Sequence, residues 1–214
     1  MKKLTMVIFL LVLLQAARAQ FEGILMYDCT IKNKTLTSVY CARSKVLLES
    51  KIYPMKGGAA DISAGKEQDD LLFDFDAHKV YRISAKHKAA ATGDMGPVTE
   101  DRFDKIKSDD ISIEDKGAEK IGDYNCHHFI VKLKNKQLDL WITKDLGTTP
   151  LCMVSQFDYF PTGSVLYDKL KAAGADGVVV RSNIDDVVVN LTGVQRKTVP
   201  PSYFEIPVGY SKEH

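Results

Sequence analysis

From Phe21 onward the chain alternates. Phe21, Leu25, Tyr27, Cys29 and Ile31 stand between mostly polar neighbours, the period-two pattern of a half-buried strand. Asn33-Lys34-Thr35 then reads as a turn, and Val39 to Ala42 and Val46 to Tyr53 continue the alternation. Leu71 to Phe75 and Val80 to Ile83 flank Asp76-Ala77-His78-Lys79, a four-residue turn opened by an aspartate. Gly57 to Ala60 and Ala89 to Pro97 are rich in small residues and read as loops.

The strongest pairing signal surrounds Tyr124-Asn125-Cys126-His127-His128-Phe129. A two-residue turn at Asn135-Lys136 sets Leu133 against Leu138, Val131 against Leu140 and Phe129 against Ile142 on one face. On the other face Lys132 meets Asp139, Ile130 meets Trp141 and His128 meets Thr143. The asparagine suits a positive φ, whereas the lysine lacks the freedom of the glycine usual in such turns.

Later in the chain one helix is predicted. Thr162 or Ser164 can cap it, Leu166, Leu170 and Ala173 form its apolar stripe, and Gly174 stops it. Strands resume at Val178-Val179-Val180 and at Val187 to Leu191, with a turn over Asn183 to Asp186. Many antiparallel strands with one substantial helix predict a mainly β fold. The expected form is a curved antiparallel sheet or half-barrel under one or two covering helices, with a lipocalin-like closed barrel as the alternative.

The first nineteen residues break the pattern. Lys2 and Lys3 precede an apolar run from Leu4 to Leu14, and Ala17-Arg18-Ala19 forms a small-x-small site. As a helix that run covers roughly 16 Å, about half of a ~30 Å bilayer core. Residues 1–19 therefore read as a cleaved signal peptide and 20–214 as a single β-rich domain, exported to the periplasm or secreted. The first cysteine is Cys29, too far downstream to serve as a lipoprotein attachment point, and no later stretch is apolar enough to span a membrane as a helix. Loss of Lys2, Lys3 and Arg18 takes 29 basic residues to 26 against 28 acidic ones, so the net charge falls from +1 to −2. That near-neutral balance excludes neither ligand nor protein binding, but gives no reason to expect nucleic acid.

Cys29, Cys41, Cys126 and Cys152 all lie in the domain, and an even count in an oxidising compartment makes them disulfide candidates. Three connectivities are open. Cys29 and Cys41 are equidistant from Thr35, which favours a cross-strand pair and leaves Cys126 with Cys152.

Candidate chemistry in the Cys-His-His stretch is thin. Successive strand side chains point to opposite faces, so His127 and His128 diverge. Cys126 and His128 share a face, but two ligands do not make a zinc site and the chain has no CxxC or HxxxH partner. No metal and no cofactor is expected. A thiol or metal enzyme at Cys126 and His128 is the weakest of the functional readings, because nothing in the sequence marks an oxyanion donor. Gly58 to Lys66 lacks phosphate-loop spacing, with Glu67 where a magnesium-binding hydroxyl belongs.

Three stretches resemble the domain of unknown function 4412 family of exported bacterial proteins. Ile121-Gly122-Asp123-Tyr124-Asn125-Cys126 is similar to its "I-x-G-Y-x-C" segment, and Trp141 to Leu146 to the strand that follows it. Val199 to Tyr210, which contains Pro200, Phe204, Ile206, Pro207, Gly209 and Tyr210, is similar to its closing "P-x-x-x-F-x-I-P-x-G-Y". The chain departs from that pattern in three further cysteines beside Cys126 and an insert around Ala89 to Pro97. The resemblance implies an architecture like the lipoprotein-carrier half-barrel of LolA type, a sheet whose concave face holds apolar ligands under helices. It assigns no activity. On that basis the expected function is non-enzymatic: an exported protein that accommodates an apolar or lipid-like ligand, with Ile130, Trp141 and His128 as cavity candidates. The alternative is a structural module with a filled core that meets a protein partner of the cell envelope.

Overall fold

The computed structural model describes residues 20–32, 34–43, 46–52, 69–94, 107–134, 136–149, 151–153, 159–161 and 164–213. The expected leader, the loop at Gly57 to Ala60 and the alternative helix cap Thr162 lie outside the described residues.

The protein is mainly β, as the alternation predicts. Its strands are β1 (Gly23–Ile31), β2 (Lys34–Arg43), β3 (Val46–Ile52), β4 (Asp70–Asp74), β5 (Lys79–Ser84), β6 (Ala89–Asp94) and β7 (Ile111–Ile121). They continue as β8 (Tyr124–Leu133), β9 (Lys136–Thr143), β10 (Leu151–Met153), β11 (Tyr159–Pro161), β12 (Val178–Ile184), β13 (Val187–Arg196) and β14 (Ser211–Glu213). Among the described residues one α-helix, α1 (Val165–Ala172), precedes β12. Twelve strands form one sheet in the order β14-β6-β5-β4-β3-β2-β1-β13-β12-β9-β8-β7, while β10 and β11 pair separately. Every pairing in the large sheet is antiparallel except β14 with β6. The sheet is open, with β7 and β14 at its edges, so the closed-barrel alternative does not hold.

Directly opposed residues point to the same side of a sheet. One face carries Leu25, Tyr27 and Cys29 of β1, Tyr40 and Ala42 of β2, Phe73 of β4, Val189, Leu138 and Leu140 of β9, and Phe129 and Val131 of β8, all buried. Here the core is completed by the helix. Ser164 caps it through its Oγ, which accepts the Tyr167 N–H at 3.3 Å. Leu166, Tyr167 and Leu170 pack on Phe129, Val131 and Leu140. Gly174 ends the element at φ +81°, where only glycine is unstrained. Burying a leucine such as Leu170, 1 % exposed, contributes about 2 kcal/mol. The Tyr27 hydroxyl adds a long-range tie, donating to the Val179 carbonyl at 2.8 Å.

Two registers differ from expectation. In the β8–β9 hairpin Leu133 pairs with Lys136, Val131 with Leu138, Phe129 with Leu140 and His128 with Trp141, a slip of two residues. The turn begins at Lys134, whose φ is +51°. A two-residue slip keeps every side chain on its predicted face, so alternation cannot distinguish the two registers. The β1–β2 hairpin is also tighter than predicted: Thr30 pairs with Thr35, Cys29 with Leu36 and Cys41 with Ile24. Cys29 and Cys41 therefore point to opposite faces and form no cross-strand disulfide. Cys126 is a buried free thiol, so its expected bond to Cys152 is not made either; the side chain of Cys152 is outside the described residues.

Two strands contradict their local composition. Ala89 to Asp94, read as loop, is β6, held between β5 and the parallel β14. Its alanines have no side chain bulk, and Ala90 is buried at 1 %. The eleven residues of β7 were masked by charge: only Ile111 of this edge strand is buried, and a bulge at Asp115 to Ala118 interrupts the alternation.

Candidate functional site

The second face of the sheet can be followed by register. Asp28, Asn190, Arg181, Trp141 and His128 form one row across five strands. Ile24 and Cys41, in register through β3 with Leu72, Tyr81 and Thr92, form another. The helix lies on the opposite face, so the expectation that it would cover Ile130 and Trp141 is not met.

On this second face the sequence-predicted residues build a polar ladder. His128 stacks on Trp141 with ring centroids 4.3 Å apart and planes 7° from parallel. Arg181, on the strand at the other side of Trp141, places its guanidinium carbon 5.3 Å from the ring centre. The indole N–H donates to Glu119 Oε2 at 2.6 Å, and His128 Nε2 lies 2.8 Å from Asp139 Oδ1. Ile130 sits opposite Asp139 and Glu114 on the same face, half-buried. Trp141, 9 % exposed, packs against these neighbours and is not among the residues that line the groove described next.

The neighbouring groups have little chemistry to offer. His127 points to the helix side, with Nδ1 at 3.2 Å from Asp115 Oδ2, so the two histidines diverge as predicted. The backbone N–H of Gly117 and then His127 hold the Asp115 carboxyl below its usual range. Burial pushes the Cys126 thiol up to about 11, which keeps it protonated and poorly nucleophilic at neutral pH. Among the described residues no three His, Cys, Asp or Glu side chains come together to hold a metal.

A cavity lies at the other end of this same face. A groove of about 490 Å³ is bounded by Leu72, Tyr81 and Thr92 of the sheet and by the segment from Phe204 to Tyr210. That volume falls within the ~300–1,000 Å³ usual for ligand sites. The segment crosses the sheet as a strap fixed at both ends. At one end Val199 is buried at 1 %, accepts from Arg43 Nη1 at 3.3 Å and donates to Glu22 Oε1 at 3.3 Å. At the other, the Ser211 N–H donates to the Lys88 carbonyl at 2.9 Å and β14 runs beside β6. Between them Phe204, Ile206 and Tyr210 turn inward onto Leu72, Ile83 and Ala90. The alanines of β6 matter here, because small side chains let the strap come close to the sheet. Tyr203 and Val208 remain outside, 53 % and 104 % exposed, as an apolar rim.

Sequence reasoning missed this groove. Its signal was present in Phe204-x-Ile206-Pro207-x-Gly209-Tyr210, where a run with a proline and a glycine carries three large apolar side chains. Such a run cannot form a regular element and must lay those side chains on something else.

The fold and groove define a class: an open, mainly antiparallel sheet with one helix on its core face and a strapped groove on the other. Residues 21–210 match the model of a domain of unknown function, DUF4412, and the chain belongs to that family. The groove-forming strap is the family-like closing segment described above. No curated protein matches the chain. Among solved structures, PNGF-II in two crystal forms aligns over 91 % of this chain and 31 % of its own, at 14 % identity, with TM-scores of 0.48 and 0.46. The chain thus spans about a third of that protein. A DUF1329 family protein from Desulfovibrio piger aligns over 91 % of this chain and 93 % of its own, at 12 % identity and a TM-score of 0.26.

Proposed function

We propose that the protein is an exported, non-enzymatic binding protein that takes an apolar ligand in the groove beneath its C-terminal strap. The observation that carries this reading is the groove itself, where Leu72, Tyr81, Phe204, Ile206 and Tyr210 present apolar surface around about 490 Å³ of space. Concave, largely apolar sites with a few polar groups are the usual form of small-molecule binding sites. The exposed Tyr203 and Val208 at the rim are consistent with a surface that meets an apolar molecule or its carrier. The leader-like residues 1–19 support a place of action outside the cytoplasm, in the periplasm or beyond. No helix among the described residues is long and apolar enough to cross a membrane.

Extraction with organic solvent and native mass spectrometry of the full chain, purified without detergent, test the proposal. A co-purifying apolar molecule that is lost from a Leu72→Asp variant is the expected result. A chain that carries nothing and takes up no added alkyl compound would overturn it.

A further inference from the structure

The lining of the groove is one-sided in charge, and this selects among apolar ligands. Two carboxylates border it, Asp74 from the sheet and Glu205 from the strap, and among the described residues no lysine, arginine or histidine lines it. Three aromatic rings, Tyr81, Phe204 and Tyr210, complete the wall. The nearest cation in register is Lys79, which sits opposite both Asp74 and Asp94. It is held by the Asp94 carboxylate at 2.5 Å, so it is neutralised without reference to the groove. Asp74 Oδ1 accepts the backbone N–H groups of Asp76 and Ala77 at 3.1 and 3.0 Å, which fixes that carboxylate in place. Glu205 is exposed and pairs with no cation among the described residues.

Resting on the groove reading above, we propose that the ligand carries a cationic amine on an apolar body, and that fatty-acid carboxylates and phosphate head groups are disfavoured. An ammonium group at the mouth would find carboxylates at two sides and aromatic faces around it, the combination that recognises amines elsewhere. A carboxylate there would meet like charge, with the neutral hydroxyls of Tyr81, Thr92 and Tyr210 as donors and no cation from the described lining to offset it. The apolar chain would lie on Leu72 and Ile206 whatever the head group, so the head group decides the preference and the chain supplies the shared affinity.

The test compares three ligands that differ only in their head group: decyltrimethylammonium, decanol and decanoate, each titrated calorimetrically into the full chain below its aggregation concentration at neutral pH. The ammonium compound is expected to bind at least about tenfold more tightly than decanoate, a difference of about 1.4 kcal/mol. In Asp74→Asn/Glu205→Gln the ratio is expected to fall to about twofold or less, and raising the salt concentration should shrink it in the unmodified chain. Asparagine preserves the acceptor used by Asp76 and Ala77, so the turn is retained. Equal affinities, a preference for decanoate, or a ratio untouched by the double substitution would overturn the head-group assignment while leaving the apolar groove. Failure of all three ligands to bind would overturn the groove reading and the assignment with it.

Discussion

His128 lies flat against Trp141, with ring centroids 4.3 Å apart. This contact exists because β8 and β9 pair two residues tighter than the balance of apolar partners suggests. Aromatic pairs of this kind contribute ~0.5–1.5 kcal/mol beyond burial. A double-mutant cycle with His128→Ala and Trp141→Ala, read by urea midpoints, is expected to give a coupling of about 1 kcal/mol. A coupling indistinguishable from zero would remove the stack as a source of register.

The same register makes a backbone prediction. Lys134 stands at φ +51°, a conformation that costs a side-chain-bearing residue roughly 1 kcal/mol. Lys134→Gly should therefore stabilise the protein by about 0.5–1 kcal/mol, seen as a higher melting temperature. Its exposed ion pair with Asp110 at 3.4 Å contributes little to offset this. In the register with the turn at Asn135-Lys136, position 134 would be extended strand and glycine would cost a similar amount instead.

Cys126 links structure to pH. Burial raises its thiol from 9.0 to about 11, while in the unfolded chain it ionises near the ordinary value. Between those values the unfolded state loses its proton and the folded state keeps it, so stability falls as pH rises from about 9 to about 11. Below 9 both states are protonated and the contribution is fully present. Urea midpoints at pH 8 and pH 10.5 should show this loss, and Cys126→Ala should show a shallower one. Part of the slope remains in that variant, because burial also raises the Cys41 thiol.

Thiol labelling gives a further check. Cys41 and Cys126 are buried free thiols, so neither should react with a bulky alkylating reagent in the native state at pH 8. Both should react after denaturation without reductant. Mass spectrometry that found Cys126 joined to Cys152 would contradict the structure.

The legible part of the fold was that carried by period-two alternation and by punctuation. Tyr27, Phe129 and Val131 lie on the core face as their spacing predicts, and Ser164 and Gly174 mark both ends of the helix. Register was less legible, since a slip of two residues leaves Ile130, His128 and Trp141 on their predicted face. The strand of alanines at Ala89 to Ala91 was not legible locally, because its conformation is imposed by β5 and β14. The groove was hidden for a related reason. Leu72 and Tyr81 read as ordinary strand residues, and only the return of Phe204 to Tyr210 over them creates a cavity.

The central claim is that an apolar ligand occupies the groove under the strap. The direct measurement is a heteronuclear NMR titration of the full chain with decyltrimethylammonium below its aggregation concentration, followed residue by residue. The account predicts saturable shifts confined to Leu72, Tyr81, Phe204, Ile206 and Tyr210 and their neighbours. Shifts centred on His128, Ile130 and Trp141, or no saturable shifts at all, would contradict it.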